Sequence, residues 1–452
     1  MLYNWSCPDT GSSYRDITII HSLIAEMSDR SGLAAVEDLN TVLNTTLDEF
    51  VERHPEVLII DDSTTLEEFV KQYVQDHPSD KSVCIFDLTS VLVQYKTWFN
   101  VFGDVQPFYA MKCNPNPKLM DLMCSLPGMC VDCAGVEEIN MCLSRGIKPD
   151  HIIFANPIKS VEGIECMRKN GIWTGTVDSI EEVQKMHDVL GEDAKHCRIV
   201  IRLWVDDSHS IIALGSKFGC HLSEVRGILN QVQLCGMEAV GVAFHVGTGN
   251  EDQYAYEKAV RDSAEVFKMA KEFGFTMTLL DLGGGWAGDL GNDKFENPSL
   301  TSVCGIIRDA VKKHEVFSTE GFRMISEPGR YFNNNTVSVA CKVLNVSKRG
   351  GRTVYKINEG VMGVFHDLIL CDMNFDVEPL VEGEKHPASI IGSSIMQKDV
   401  VLSNIDLPEM KVGDIILFKN IGAYSVSLTT LPLRRNQDHV YIVRRSSLCQ
   451  HK

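Results

Sequence analysis

The amino-acid sequence predicts an α/β protein built from a (β/α)8 barrel of the TIM type followed by a C-terminal β domain. Three observations point there. Short apolar runs alternate with amphipathic helical stretches over about residues 82–330, the arithmetic of repeated strand–helix units. Beyond Arg330 that alternation gives way to β-rich segments separated by turns such as Lys348-Arg349-Gly350-Gly351. Polar residues repeatedly stand just after the apolar runs, where a barrel carries its chemistry. An open doubly wound sheet is the competing architecture for the first region.

Taken in order, residues 1–48 show no sustained hydrophobic pattern and are expected to form a disordered extension, with a short helix at most over residues 18–27. Residues 49–81 read as an N-terminal segment joining the β domain. In it Val57, Leu58, Ile59 and Ile60 form a strand, and Ser63-Thr64-Thr65-Leu66-Glu67-Glu68 forms a capped helix start. Residues 82–330 supply the barrel. Its strands are expected at 83–86, 108–111, 152–155, 199–203, 240–244, 277–281 and 323–325, with helices over 161–167, 222–231 and 251–273. Residues 331–452 make the β domain, with strands at 337–343, 353–357, 415–418 and 440–443.

The chain has 452 residues, 44% hydrophobic and 23% charged, enough for one large core and a smaller one. Its formal net charge of −18 argues against electrostatic capture of nucleic acid or anionic lipid and favours a small-molecule substrate. No run approaches the roughly 18 apolar residues of a membrane span, and the first residues lack the order of a secretory signal. Asp9, Asp16, Glu26 and Asp29 speak against a transit peptide, so the expected address is the cytoplasm. Fifteen cysteines with a single C-x-x-C pair, Cys130 and Cys133, read as reduced buried thiols, with no metal site.

Four segments carry candidate chemistry. Lys112 ends the strand Phe108-Tyr109-Ala110-Met111, although a lysine at a strand end is ordinarily just solvated. Asp281-Leu282-Gly283-Gly284-Gly285 places three glycines after a strand, where backbone N–H groups can approach a phosphate without interference from a Cβ. Ser326-Glu327-Pro328-Gly329-Arg330 brings a carboxylate, a turn and a guanidinium together, the set that a pyridine ring bearing a phosphate needs. His245 ends another strand and precedes the small residues Gly247, Thr248 and Gly249.

Together these segments resemble the ornithine decarboxylase family of barrel-type pyridoxal-phosphate enzymes. Phe-Tyr-Ala-Met-Lys-Cys-Asn, Phe-His-Val-Gly-Thr-Gly, Leu-Asp-Leu-Gly-Gly-Gly, Glu-Pro-Gly-Arg-Tyr and Gly-Ala-Tyr are similar to the family's motifs and occur in the same order between about residues 57 and 443. The resemblance implies an alanine racemase-like fold and pyridoxal 5'-phosphate as cofactor. It implies that Lys112 forms a Schiff base with the cofactor, Glu327 pairs with the ring nitrogen and His245 stacks on the ring. Thr248, where the family commonly has serine, would hold the phosphate with Gly283, Gly284, Gly285, Gly329, Arg330 and Tyr424, and Pro328 also falls in the cofactor-binding set. Asp132, Glu138 and Arg202 occupy positions that support lysine and cofactor. A homodimer follows too, each active site being finished by a loop from the partner's β domain.

That loop departs from the family pattern. Where ornithine decarboxylases carry Gly-Pro-Thr-Cys-Asp, this chain reads Gly392-Ser393-Ser394-Ile395-Met396. The family's cysteine returns a proton after carbon dioxide leaves, and its aspartate pairs with the distal ammonium of ornithine; Ile395 and Met396 do neither. Burying an ammonium against them would cost on the order of several kcal/mol. Asp372 stands near the family's other substrate-tail aspartate. The expected activity is therefore α-decarboxylation of an aliphatic amino acid such as leucine, with Ser394, Ile395, Met396 and Asp372 facing the substrate. Two alternatives remain: an inactive regulator like the antizyme inhibitors, with antizyme as partner, or an ornithine decarboxylase with a different proton donor.

Overall fold

The computed structural model describes residues 32–287, 299–366, 368, 376–429 and 437–444; the helix expected at 18–27 and the residue Asp372 lie outside them. The first described element corrects the expectation of disorder up to residue 48. Helix α1 (Gly32–Arg53) carries Leu39, Leu43, Leu47 and Phe50 at helical spacing, and all four are buried in the main core. A helix with that much covered apolar surface is part of the fold.

Strand β1 (Leu58–Ile59) and helix α2 (Leu66–Asp76) follow, the latter opened by the capping box read from the sequence. The Glu68 N–H donates to Thr65 Oγ1 at 3.1 Å, and the Thr65 N–H donates to Glu68 Oε2 at 2.9 Å. Strand β2 (Ser82–Asp87) is a second correction, because it belongs to the β domain and not to the barrel. Val83 and Ile85 pack in one core cluster while Cys84 and Phe86 pack in another. A strand buried on both faces reads as a continuous apolar run whichever sheet it joins, so the pattern could not assign it.

After helix α3 (Thr89–Val101) come β3 (Val105–Ala110), β4 (Cys130–Cys133), β5 (Ile152–Phe154), β6 (Thr174–Val177), β7 (Arg198–Arg202), β8 (Ser210–Ile212), β9 (Glu238–Ala243), β10 (Thr248–Asn250), β11 (Leu279–Asp281) and β12 (Arg323–Ser326). Eight of these close a barrel in the order β11-β12-β3-β4-β5-β6-β7-β9, every pair parallel, which rules out the open sheet. The antiparallel pair β8–β10 forms a separate ribbon.

The β domain adds β13 (Val337–Arg349), β14 (Arg352–Ile357), β15 (Asp376–Pro379), β16 (Lys385–Ile391), β17 (Val400–Pro408), β18 (Ile415–Lys419) and β19 (Gln437–Val443). Its sheet runs β1-β19-β2-β13-β14-β16-β17, with β18 also on β13 and β15 on β18. Strand β13 binds β2 and β18 through its first half and β14 through its second, with a register shift between Val343 and Asn345.

The barrel interior is plugged by Phe108, Cys130, Ile153, Val200, Val240, Ala243, Leu279 and Ile325, contributed by seven strands, β9 supplying both Val240 and Ala243. Burial of the larger of these stabilises the barrel by about 1.5–3 kcal/mol per side chain. Cys130 lies in this plug and Cys133 in the core outside it, as strand alternation requires, and both are free buried thiols. Among the described residues no helix is long and apolar enough to cross a membrane.

Candidate active site

The plug fixes the site. Side chains along a strand return to one face every second residue, so a residue two places beyond the last plug residue of a strand reaches the barrel's axis at its C-terminal mouth; on β9, where the register shifts, Val242 turns to the outer core and Ala243 takes the plug position. Cys130 is followed by Asp132, Val200 by Arg202, Ala243 by His245, Leu279 by Asp281 and Ile325 by Glu327. Lys112 sits in a single 3₁₀ turn, Met111–Cys113, directly after β3.

The Lys112 Nζ donates to Asp132 Oδ2 at 2.7 Å. Asp132 is fully covered, whereas Lys112 keeps 47% of its side-chain area open. Burial opposes the ammonium form, but the charges of Asp132 and Glu327 outweigh it and hold the Lys112 pKa above its ordinary value. Glu138 accepts the Ala134 N–H at 2.6 Å, and its pKa is raised by burial and by the Asp132 charge.

Asp281 accepts the Gly283 N–H through Oδ1 at 2.8 Å. Its carboxyl and that of Glu327 are both pushed up, first by burial and then by neighbouring carboxylates, and they lie close enough to share a proton. Buried Asp132 and Asp281 and half-buried Glu327 thus form one carboxyl cluster that meets Lys112 through Asp132 and Glu327, and the buried Asp132 Oδ1 has no hydrogen-bond partner. Such a cluster calls for a further positive charge.

His245 accepts the Gly247 N–H at Nδ1, 3.0 Å away, which places its own proton on Nε2. Burial, then the charges of Arg202 and Lys112, lower its pKa well below the ordinary value and keep the ring neutral. Arg202 stacks over Phe218 at 4.8 Å. Thr248 lies on β10 opposite Ile212 of β8.

The glycines leave little room. A Cβ on Gly284 would stand 2.8 Å from His245 Nε2, and one on Gly329 would stand 3.1 Å from the Tyr424 hydroxyl. Gly283 and Gly285 take φ of +63° and +98°, which side chains resist. The Pro328 carbonyl accepts the Ala110 N–H at 3.2 Å, tying this turn to β3. Arg330 is buried, with its guanidinium carbon 5.4 Å from the centre of the Tyr424 ring. Tyr424, itself at φ +52°, donates its N–H to the Cys113 carbonyl at 3.0 Å and so attaches the β domain to the lysine turn. Glycine N–H groups and a buried guanidinium beside a carboxylate cluster suit a ligand that is anionic at one end and cationic at the other.

The structure therefore gathers Lys112, Asp132, Glu138, Arg202, His245, Gly283, Gly284, Gly285, Glu327, Pro328, Gly329, Arg330 and Tyr424 around the barrel mouth. The carboxyl of Asp281 was not singled out from the sequence, although its place two residues beyond Leu279 marks it. Ser394, Ile395 and Met396 are placed differently. Their loop is held by Asp399, which accepts the N–H groups of Ser394 at 2.8 Å and Val361 at 2.9 Å. Ile395 is 105% exposed and Met396 45% exposed, so a single chain gives neither of them a pocket wall to join. No cluster of three or more metal-ligating side chains exists among the described residues.

Residues 88–334 match the family model of the pyridoxal-dependent decarboxylase, pyridoxal binding domain. The chain is 32% identical over 369 residues to an ornithine decarboxylase of Schizosaccharomyces pombe, covering 78% of this chain and 82% of the relative. It is 31% identical over 363 residues to antizyme inhibitor 2 of Xenopus laevis, covering 76% and 77%. The Paramecium bursaria Chlorella virus arginine decarboxylase bound to agmatine superposes with a TM-score of 0.76 at 29% identity, over 83% of this chain and 100% of the viral one. The cofactor of this family is pyridoxal phosphate, and the carboxylate cluster and glycine cradle fit it. The barrel with its β domain, the ordered motifs and the span of these matches show that the chain belongs to the pyridoxal-dependent decarboxylases, in the ornithine decarboxylase family, as a divergent member.

Proposed function

We propose that this chain decarboxylates an L-amino acid at its α-carbon and that the substrate's side chain ends in an apolar group. The decarboxylase reading rests on the barrel mouth: Lys112 set against the carboxyl cluster of Asp132, Glu327 and Asp281, beside a loop of three glycines. Pyridoxal phosphate supplies the electron sink for the electron pair released when carbon dioxide departs.

The chain's own residues supply orientation and charge. Lys112 is the nucleophile that holds the cofactor, and Asp132 fixes its Nζ with Glu138 behind it. Glu327, backed by Asp281, gives the ring nitrogen an anionic partner; positive charge there returns the Glu327 carboxyl towards its ionised form. The neutral His245 would cover the ring without adding charge. Thr248, the three glycines, Gly329, Arg330 and Tyr424 would hold the phosphate end, with Pro328 tying their turn to β3. Lys112 or water returns the proton to the α-carbon, since the partner loop offers no thiol.

The apolar substrate tail rests on Ile395 and Met396. A fully exposed isoleucine on a loop pinned by a buried carboxylate fits a homodimer in which that loop faces the partner's barrel mouth. A panel of leucine, valine, isoleucine, ornithine, lysine and arginine, scored by amine product, tests this. Aliphatic amines are expected; product from the dibasic amino acids alone would overturn the apolar tail while leaving the decarboxylase. The names of the relatives favour that second reading, in which Asp372 would meet the distal ammonium. The similarity to antizyme inhibitor 2 favours a third, a regulator that binds antizyme. Cofactor absorbance without any amine product, together with capture of antizyme, would select it.

A further inference from the structure

The Gly283 carbonyl collects three donors at the base of the glycine loop. The Glu327 N–H reaches it at 2.8 Å, the Ser326 hydroxyl at 2.7 Å and the Trp286 indole N–H at 3.2 Å. The same indole N–H also donates to Ser326 Oγ at 2.7 Å. The serine hydroxyl therefore accepts from the indole and passes its own proton to the carbonyl, an arrangement in which each bond polarises the next. Both side chains are buried.

Peptide geometry turns this into an orientation. The Gly283 carbonyl and the Gly284 N–H belong to one planar trans peptide and point in opposite directions. Fixing the carbonyl towards Trp286 and Ser326 fixes the Gly284 N–H away from them. Glycine at φ +63° has other conformations open to it, so this orientation needs external restraint. The indole is itself immobilised: Tyr256 stacks on it at 4.8 Å, while Trp98 and Phe102 meet its edges at 5.6 and 5.2 Å.

We propose that Trp286, acting through Ser326, is a positioning residue that presets the glycine loop for the phosphate of the cofactor. It touches no reacting atom. Its effect falls on the part of the cofactor that distinguishes pyridoxal phosphate from pyridoxal, and the test requires no knowledge of the amino-acid substrate.

Full-length apoprotein is titrated with pyridoxal phosphate and, separately, with pyridoxal, following the visible absorbance of the Lys112-bound species. Trp286→Phe keeps an aromatic ring and removes the donor; Ser326→Ala breaks the relay and serves if the first variant does not fold. Either is expected to weaken pyridoxal phosphate binding roughly fivefold to tenfold, as loss of one or two buried hydrogen bonds implies. Pyridoxal binding should change by less than about twofold. Trp98→Phe is the control, because the Trp98 indole also donates to a backbone carbonyl, that of Val105 at 3.0 Å, within the same aromatic cluster. It should lower the melting temperature and leave the ratio of the two affinities unchanged. An unchanged ratio in Trp286→Phe and Ser326→Ala, or an equal shift in Trp98→Phe, would overturn the proposal.

Discussion

Replacing Lys112 by methionine tests the electrostatics of the site without reference to the reaction. Methionine keeps much of the length and apolar stem but removes the ammonium that meets Asp132 Oδ2 at 2.7 Å. Asp132 is fully covered and its other oxygen already lacks a partner, so the variant strands a carboxylate. Removing one member of a fully buried pair costs about 3–5 kcal/mol. Lys112 is 47% open, and solvent screens part of the interaction. A loss of about 2 kcal/mol at neutral pH is the resulting expectation. Asparagine at position 132 carries no charge to strand, and Lys112→Met with Asp132→Asn should recover at least half of the loss. Denaturant melts of wild type and both variant apoproteins at neutral pH measure this. An unchanged stability in Lys112→Met, or a loss with no recovery in the double variant, would refute the pairing.

Glu327→Gln should cost decarboxylation on the order of a hundredfold. The Glu327 carboxyl is raised by burial and by Asp281, so the folded apoprotein holds a proton that the unfolded chain has lost, and stability falls as pH rises through that window. The glutamine apoprotein should therefore melt higher than wild type at neutral and alkaline pH. His245 titrates in the opposite sense: burial depresses its pKa, so below the ordinary value of 6.5 the unfolded chain takes up a proton that the folded chain refuses. Stability is lost as pH falls below that value, and a pH series of melts comparing wild type with His245→Asn should show the slope flattened in the variant. Phe50→Ala in helix α1 should cost about 3–5 kcal/mol in thermal or chemical unfolding, because its side chain is fully covered.

How far the site could be read from the sequence follows from strand geometry. Lys112, His245 and Glu327 were recognisable as polar residues closing apolar runs, and the three glycines as a gap for a ligand's phosphate. The plug residues set those positions, so the barrel and its mouth were legible together. Asp281 is equally placed at the end of the strand 277–281, but its carboxyl matters only once Glu327 and Asp132 stand beside it. Trp286 and Ser326 meet only through the closing of β11 against β12. The assignment of β2 failed because its partners, β13 and β19, are remote in sequence. Helix α1 was missed although Leu39, Leu43, Leu47 and Phe50 keep helical spacing; the polar residues between them masked the face.

The central claim is that Lys112 holds the cofactor. The chain contains a competitor, because Lys159 has a pKa lowered by burial to about 8 and would be the more nucleophilic amine in solution. Lys159 is closed to ligands, however, with no exposed side-chain area and its Nζ donating to the Thr176 carbonyl at 2.5 Å. Borohydride reduction of the protein loaded with pyridoxal phosphate, followed by peptide mass spectrometry, separates the two. The account expects a pyridoxyl group on the peptide containing Lys112 and none on that containing Lys159; a label on Lys159, or no label, would contradict it.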